Sequence, residues 1–278
     1  MDLQEKRVII TGAASGIGYC MAEIFAESGS EVILSDIDGD KLNDAVKALE
    51  NIGSPIRSYI VDVANQEEVQ KMADDVLQNV GHVDILINNA GIGYSGEIVE
   101  TSLDTWKKLM DVNFWGALYH IYAFLPAMVE AKSGHIVNIS SGQAFFRLPT
   151  WGPYATTKLA LGGVSELMQF EFKKFNINVT TVYPFMINTG FYDDVEGDTW
   201  GAKMSMRLLP YYSMSPESVA NRIVKAIKKE KSVEMITVIN SLGSVSRAIS
   251  PLSNIISATS LYFLGKDPQA LKDDLEGF

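Results

Sequence analysis

Cysteine and histidine are scarce in this 278-residue chain. The single cysteine, Cys20, excludes an internal disulfide and falls in an apolar helical stretch, so we expect a buried and inert thiol. The three histidines, His82, His120 and His135, lack the mutual spacing of metal ligands, and we interpret them as structural. The sequence therefore predicts a reducing compartment and no metal site.

Basic residues are also few, because 23 lysines and arginines stand against 34 aspartates and glutamates, which gives a formal charge of −11. Proteins that bind nucleic acids use clustered lysine and arginine to neutralise phosphates, so this balance argues against a nucleic-acid partner. The polar N-terminus runs from Met1 to Lys6 directly into an apolar strand, without the pattern of an export signal. We expect a cytoplasmic protein.

Short apolar, β-branched runs alternate with longer segments of helical periodicity along the chain. This alternation is typical of a parallel sheet with helices on both faces, and we predict one doubly wound α/β domain over residues 1–278. Seven strands are predicted at 7–11, 31–35, 56–61, 85–88, 135–140, 178–183 and 235–239. Helices are predicted at 16–28, 39–51, 66–80, 103–131, 151–175 and 216–229.

Two stretches depart from this alternation. Residues 190–215 form an irregular insertion rich in Met, Trp and Tyr, which suggests a substrate-binding segment. The C-terminal extension, 241–278, is expected to be helical, with amphipathic spacing over 241–265 that Pro251 interrupts. We favour packing of 241–265 against the body or a second subunit, with contact to a membrane surface as the alternative. Arg247, Pro251 and many serines argue against a transmembrane span.

The first predicted strand ends in the sequence TGAASGIG, residues 11–18, and a helix follows. Glycines in such a turn let backbone amides approach a pyrophosphate, whose charge the helix N-terminus stabilises. A close-packed strand-to-helix turn without a ligand would have the same glycines. We predict that the phosphate site consists of Gly12, Ser15, Gly16, Ile17 and Gly18.

Asp36 follows the second strand, where a carboxylate can accept hydrogen bonds from both hydroxyls of an adenosine ribose. It would repel a 2′-phosphate, and its neighbour is Ile37 rather than an arginine. This pattern predicts NAD as the cofactor in preference to NADP. A helix cap ahead of Asp38 is the alternative interpretation of Asp36.

Polar residues also follow the third and fourth strands. Ligands of open α/β sheets bind at the carboxyl ends of the strands, so these groups should meet in one crevice. We place Asp62, followed by Val63, at the adenine amino group, and Asn89, Ala90 and Gly91 at the adenosine ribose. Each is also a plausible turn residue, and only the set supports a nucleotide site.

Tyr154 and Lys158 are one helical turn apart and therefore share a helix face. An adjacent cation favours the phenolate and lowers the pKa of a tyrosine, which makes Tyr154 a usable acid and base. Ser141, at the end of the fifth strand, is placed to hydrogen-bond the reacting oxygen. Asn113, in the preceding long helix, is a candidate to hold a water that connects Lys158 to solvent.

The sequence contains, in this order, the 11–18 turn, the Asn88–Gly91 run, Asn113, Ser141 and the Tyr154–Lys158 pair. In this combination it resembles the short-chain dehydrogenases/reductases over about residues 5–240. The resemblance implies a Rossmann-type fold and a catalytic tetrad of these last four side chains, with Lys158 also touching the nicotinamide ribose. It further implies contacts to the nicotinamide carboxamide from the segment after the sixth strand, at Pro184, Ile187 and Thr189. The family usually has glycine where this chain has Phe185.

The chain continues well beyond the point where many tetrameric members of this family end, and its tail is similar to that of membrane-associated relatives that act on steroids, retinoids and lipids. This resemblance favours a homodimer, with a tetramer as the alternative. It also leaves open a membrane-peripheral location through residues 241–265.

Aromatic residues surround the predicted catalytic segment. With Ser141, we predict that Phe145, Trp151, Phe185 and Phe191 bind the substrate, which suits a bulky apolar secondary alcohol or ketone. These side chains are equally plausible as core beneath a long loop. An NADP-dependent carbonyl or 3-oxoacyl reductase is a second hypothesis. A catalytically silent NAD-binding redox sensor or scaffold is a third, although the complete tetrad argues against it.

Overall fold

The computed structural model describes residues 1–145, 148–187, 189–192 and 213–237. Seven strands lie within these ranges: β1 Arg7–Thr11, β2 Glu31–Asp36, β3 Ile56–Ile60, β4 Ile85–Asn88, β5 Gly134–Ile139, β6 Ile177–Tyr183 and β7 Val233–Met235. They form one parallel sheet in the order β3-β2-β1-β4-β5-β6-β7. The predicted doubly wound sheet is therefore confirmed.

The helices of the described residues cover both faces of this sheet. They are α1 Gly16–Glu27, α2 Gly39–Glu50, α3 Gln66–Asn79, α4 Leu103–Met110, α5 Gly116–Ala131, α6 Gly152–Glu171 and α7 Pro216–Lys228. Strand order reverses between β1 and β4, and ligands of such sheets bind in the crevice beside the carboxyl ends of the strands at this point.

The single helix predicted over 103–131 is interrupted. Between α4 and α5 lies a π-helical turn, Asp111–Trp115, in which the backbone makes a wider loop than in an α-helix. The apolar periodicity over 103–131 did not reveal this turn. Asn113 lies inside this turn and is fully buried.

Two other predicted elements have different ends. The helix predicted over 151–175 is α6 up to Glu171, and a 3-10 turn, Phe172–Phe175, follows it. The seventh strand begins at Val233, two residues before the predicted 235–239, and ends at Met235. Residues 238 and 239 lie outside the described residues.

Alternate residues of the central strands face two separate apolar layers. Val8 and Ile10 of β1 pack with Phe25 of α1, whereas Ile9 packs with Phe124 of α5 in the other layer. This alternation follows from the period of two in a strand. Since helices cover both faces of the sheet, a ligand would approach it at the ends of the strands.

Cys20 and two of the three histidines occupy buried positions, and His82 is partly buried. Cys20 lies on α1, and burial raises the pKa of its thiol to about 11, as expected of an inert cysteine. His120 and His135 are fully buried, and burial lowers the pKa of each imidazole to about 4. Their ring nitrogens pair with the Gly116 carbonyl and the Thr180 hydroxyl at 2.8 and 2.7 Å. Both histidines are therefore neutral core residues at pH 7.

None of the helices within the described ranges combines the length and the apolar character that crossing a membrane requires. The predicted helical extension, 241–278, lies outside the described residues, as does most of the predicted substrate insertion, 193–212.

Candidate active site

The turn between β1 and α1 approaches β4 so closely that side chains have no room. Gly12 has φ +64°, and a Cβ there would lie 2.9 Å from the Ala90 Cα. A Cβ on Gly18 would overlap with the Gly12 carbonyl oxygen. Glycine is the residue that tolerates both constraints. Backbone atoms therefore line the crevice at the amino end of α1.

Thr11 and Asn89 hold this turn against the end of β4. The Thr11 hydroxyl accepts hydrogen bonds from the backbone amides of Asn89 and Ala90, each at 3.0 Å. The Asn89 side-chain amide donates to the carbonyls of Thr11 and Gly12 at 2.9 and 3.0 Å. Asn89, which we predicted at the ribose, thus uses its side chain to fix the glycine turn.

The amino end of α1 is open to an anion. Ser15 is the N-cap residue, yet its side chain caps no backbone amide of the described residues. The first amides of a helix have no intrahelical partner and carry a partial positive charge. Together with the side-chain-free turn, this arrangement fits the pyrophosphate of a dinucleotide.

Asp36 lies beside the glycine turn at the end of β2. One carboxylate oxygen accepts from the Ala14 amide at 2.9 Å, and the other accepts from the Asp38 amide at 3.1 Å. Asp38 itself caps α2 by accepting from the Lys41 amide. The alternative interpretation of Asp36 as the cap of α2 is therefore wrong. Ile37 beside it is 66% exposed, which leaves an apolar surface next to the carboxylate.

The residues after β3 form a tight turn. The Asp62 carboxylate accepts from the Ala64 amide at 2.9 Å, and the Asp62 amide donates to Glu68 at 2.9 Å. Val63 is buried, and a Cβ on Gly116 would lie 3.0 Å from its side chain. Both predicted adenine residues thus lie at the carboxyl end of the sheet, in a turn packed on the start of α5.

Both polar atoms of the Asn113 side chain form hydrogen bonds within the protein. Its amide oxygen accepts from the Ile92 amide at 2.9 Å, and its amide nitrogen donates to the Ile92 carbonyl and the Thr157 hydroxyl at 3.0 and 3.2 Å. The π-helical turn carries Asn113 to this position between the segment after β4 and α6. Sequence reasoning missed the partners Ile92 and Thr157, which have no motif of their own.

Lys158 lies beneath Tyr154 on α6, as the spacing of four predicts. Its ammonium lies 6.0 Å from the centre of the Tyr154 ring and donates to the Ile139 carbonyl at 3.1 Å. Burial lowers the pKa of the Lys158 ammonium from 10.5 to about 8. Lys158 therefore remains mostly cationic at pH 7 in a desolvated position, where a charge acts strongly on the neighbouring phenol.

The end of β5 is tied to the same helix. The Ser140 hydroxyl donates to the Lys158 carbonyl at 2.7 Å. The next residue, Ser141, caps a short 3-10 turn, Gly142–Ala144, by accepting from the Gln143 amide at 3.2 Å. The Ser140–Lys158 bond ties the end of β5 to α6, and the Asn113–Thr157 bond ties the π-helical turn to the same helix, so all four predicted catalytic residues lie at one end of the sheet.

Tyr154 is enclosed by apolar groups. Its ring centre lies 5.7 Å from that of Trp151 and 5.6 Å from that of Phe191, and Leu148 completes the cluster. Phe145 packs elsewhere, with its ring centre 4.6 Å from that of Tyr183 at the end of β6. Of our predicted substrate residues, Trp151 and Phe191 therefore lie against Tyr154, whereas the half-buried Phe145 packs on Tyr183 instead.

The segment after β6 passes beside the site. The Pro184 carbonyl accepts from the Gly142 amide at 2.6 Å, and Phe185 is half-buried. Ile187 is buried and pairs with Met214. A Cβ on Gly16 would lie 3.4 Å from the Thr189 side chain, so Thr189 lies over the glycine turn. Pro184 and Thr189 thus bring this segment to both the 3-10 turn and the glycine turn.

Residues 91–96 connect two parts of the site. Ile92 binds Asn113, as described above. At the other end, the Gly96 amide donates to the Thr150 carbonyl at 2.7 Å, and the Ser95 hydroxyl donates to the Thr150 hydroxyl at 3.3 Å. Thr150 has φ +71°, an unusual conformation for a β-branched residue, and directly precedes the N-cap of α6.

Comparison with known proteins agrees with this geometry. A family model described as short chain dehydrogenase matches residues 6–199. An uncharacterized oxidoreductase of Staphylococcus saprophyticus is 32% identical over 237 residues, which are 84% of this chain and 96% of the relative. The chain therefore belongs to the short chain dehydrogenase/reductase family, and it is an oxidoreductase of that family.

Solved structures share the fold. A short chain dehydrogenase/reductase from Burkholderia phymatum in complex with NAD superposes with a TM-score of 0.81 at 24% identity, over 96% of this chain and 99% of that one. A 7α-hydroxysteroid dehydrogenase complexed with NADH and 7-oxo glycochenodeoxycholic acid has a TM-score of 0.75 at 26% identity, over 84% of this chain and 94% of that one. Neighbours of this fold thus bind NAD, NADH or an NADP derivative.

Gly91 offers a test of the site's geometry. A Cβ there would lie 2.9 Å from the Asn113 amide oxygen and 3.2 Å from the Lys158 ammonium. We expect Gly91→Ala to lower kcat at least about tenfold, since small displacements of catalytic groups are costly. The measurement is kcat at saturating cofactor, with an alcohol that the wild-type protein oxidises.

Gly163→Ala is the matched control, because a Cβ on that exposed glycine of α6 meets nothing within 4 Å. Its kcat should equal that of the wild type. If Gly91→Ala were equally active, the contact between Gly91 and the Asn113–Lys158 pair would have no catalytic role.

Proposed function

We propose that this protein is an NAD(H)-dependent oxidoreductase that interconverts a secondary alcohol and a ketone. The observation that carries the proposal is the position of Tyr154, with the buried ammonium of Lys158 beneath its ring, beside the glycine turn that fits a dinucleotide. The membership of the family supports the same reaction class.

In this proposal Tyr154 exchanges the proton. During oxidation the phenolate oxygen takes the alcohol proton as the substrate carbon loses a hydride, and during reduction the phenol returns a proton to the oxygen. The dinucleotide supplies the redox chemistry, as acceptor or donor of the hydride at C4 of its nicotinamide. Lys158 favours the phenolate through its charge, and Ser141 holds the reacting oxygen by a hydrogen bond.

The residues that would hold the dinucleotide lie along one crevice. Backbone amides at 12–18 and the open end of α1 suit the pyrophosphate, and Asp36 suits the adenosine ribose. Asp62 and Val63 would face the adenine. We predicted Gly91 at the adenosine ribose, but its position beside Lys158 suits the nicotinamide half better. The neighbours complexed with NAD and NADH support the assignment.

The lining near Tyr154 suits a bulky apolar substrate. Trp151, Leu148 and Phe191 surround the tyrosine with aromatic and aliphatic surface. Pockets of this composition bind ligands mainly through apolar contact, with few polar groups to orient them. The steroid ligand of the 7α-hydroxysteroid dehydrogenase supports a substrate of this size.

Tyr154→Phe tests the reaction. The variant keeps the ring and its contacts with Trp151 and Phe191 but loses the proton-exchanging oxygen, so we expect kcat to fall at least about a thousandfold while the Kd for NADH stays within about twofold. Turnover is followed by absorbance at 340 nm, over a panel of secondary alcohols from short aliphatics to steroids. NADH binding is followed by fluorescence.

The control is Tyr122→Phe, on the exposed face of α5, which should leave kcat unchanged. Retention of more than a few per cent of activity by Tyr154→Phe would contradict the role of the phenol. A wild-type protein that binds NADH and turns over none of the panel would favour the silent NAD-binding sensor or scaffold.

Asp36→Ala tests the choice of cofactor. Removing the carboxylate abolishes its repulsion of a 2′-phosphate, so we expect the ratio of kcat/KM with NAD to that with NADP to fall at least about tenfold. Asp38→Ala removes a carboxylate two residues away that caps α2, and it should leave the ratio unchanged. An unaltered ratio in Asp36→Ala would favour the NADP-dependent reductase or another determinant.

We also propose that two copies of the chain form a homodimer through the outer face of α6. Leu167 and Phe170 are 61% and 80% exposed there, with Leu159 on the same stripe at 38%. A contiguous apolar stripe of this kind is typical of an interface. A closed two-fold pairing covers the same patch on both copies.

Sedimentation equilibrium measures this association. We expect the wild type to sediment as a dimer and Leu167→Glu/Phe170→Glu as a monomer, because burying carboxylates without partners is costly. Ile60→Glu, on edge strand β3, changes an equally exposed aliphatic residue and should leave the dimer intact. A monomeric wild type would refute the pairing, and a tetramer would require a second interface.

A further inference from the structure

Gln143 is a buried amide that forms no hydrogen bond with its side chain among the described residues. Only 5% of the residue is exposed, and its amide oxygen is sealed from solvent without a partner there. Buried polar groups are nearly always paired, since an unpaired one loses its hydration without compensation. The buried amides of Asn113 and Asn138 follow this rule with several bonds each.

The backbone of Gln143 is fixed beside the catalytic serine. Its amide donates to the Ser141 hydroxyl at 3.2 Å, and the Ala144 amide donates to the Ser141 carbonyl at 3.0 Å. The Gly142 amide donates to the Pro184 carbonyl at 2.6 Å, which holds the turn against the segment after β6. Gln143 therefore lies two residues from Ser141, whose hydroxyl we assign to the reacting oxygen, on a turn held by these three hydrogen bonds.

The apolar surroundings of Tyr154 make the unpaired side-chain amide of Gln143 significant. Trp151, Leu148 and Phe191 offer apolar contact, whereas Gln143 offers hydrogen bonding that the protein leaves unused. Ligand sites commonly combine an apolar lining with a few polar groups that fix orientation. A polar group left unpaired in the free protein selects strongly for a ligand that pairs with it.

We propose that Gln143 is a specificity-determining residue that hydrogen-bonds a second hydroxyl of the substrate, close to the carbon that is oxidised. A hydroxyl both donates and accepts, so it pairs with either end of the amide. The preferred substrate class is then a bulky apolar alcohol with a neighbouring hydroxyl, or the corresponding hydroxyketone. This inference rests on the proposed alcohol and ketone chemistry and refines its substrate.

Two matched substrates test the inference. 1-Indanol and indane-1,2-diol have the same apolar body and differ in one hydroxyl. We expect the wild type to have at least about a tenfold higher kcat/KM with NAD for the diol, and Gln143→Leu to abolish that preference. Leucine retains the apolar volume of the side chain, so the ratio of the two kcat/KM values in Gln143→Leu reports the loss of the polar contact.

Gln70→Leu is the matched control, because Gln70 is an exposed glutamine on α3 that donates to Asp74. Its preference for the diol should equal that of the wild type. Equal losses toward both substrates in Gln143→Leu would overturn the specificity role. A raised Kd for NADH would also overturn it, because Gln143 would then serve the cofactor.

A binding measurement separates this inference from the proposed reaction. Stabilisation of the NADH-bound protein by each indane compound is measured as a shift in Tm, which needs no turnover. A larger shift with the diol in the wild type, lost in Gln143→Leu, would support the inference even if neither alcohol were oxidised. Equal shifts with the two compounds, or none, would overturn it whatever the outcome of the activity assay.

Discussion

The site depends on the join between the first and fourth strands, where four hydrogen bonds connect Thr11 and Gly12 with Asn89 and Ala90. Strand order reverses there, so the connections that follow β1 and β4 diverge beyond the join and leave a crevice. The join fixes the glycine turn, the turn directs the open end of α1, and β4 continues into the segment that holds Asn113. The dinucleotide site and the proton-exchanging site that we propose therefore share one edge of the sheet.

Features governed by local rules could be predicted from the sequence. The alternation of strands and helices, the glycine turn and the shared helix face of Tyr154 and Lys158 follow from short-range periodicity and backbone sterics. The carboxyl ends of parallel strands must meet at one edge, so Asp36 and Ser141 could be placed there before their surroundings were known. For these positions the interactions that determine the structure involve residues close together in the sequence.

The features that could not be predicted from the sequence depend on contacts between distant segments. The apolar periodicity over 103–131 did not reveal the π-helical turn. Phe145 and Trp151 looked alike in sequence, yet one packs on Tyr183 and the other on Tyr154. Asn89 was expected to face a ligand, but its amide is used inside the fold. No local signal separates such alternatives, because each side chain suits both surroundings.

The connection formed by residues 91–96 limits how this site can diverge. One end is hydrogen-bonded to Asn113 and the other to Thr150, just before α6, so the six-residue span acts as a spacer of fixed length. An insertion or deletion within it would alter the separation of two catalytic elements at once. Exchanging loops between relatives would therefore have to preserve both anchors of this span.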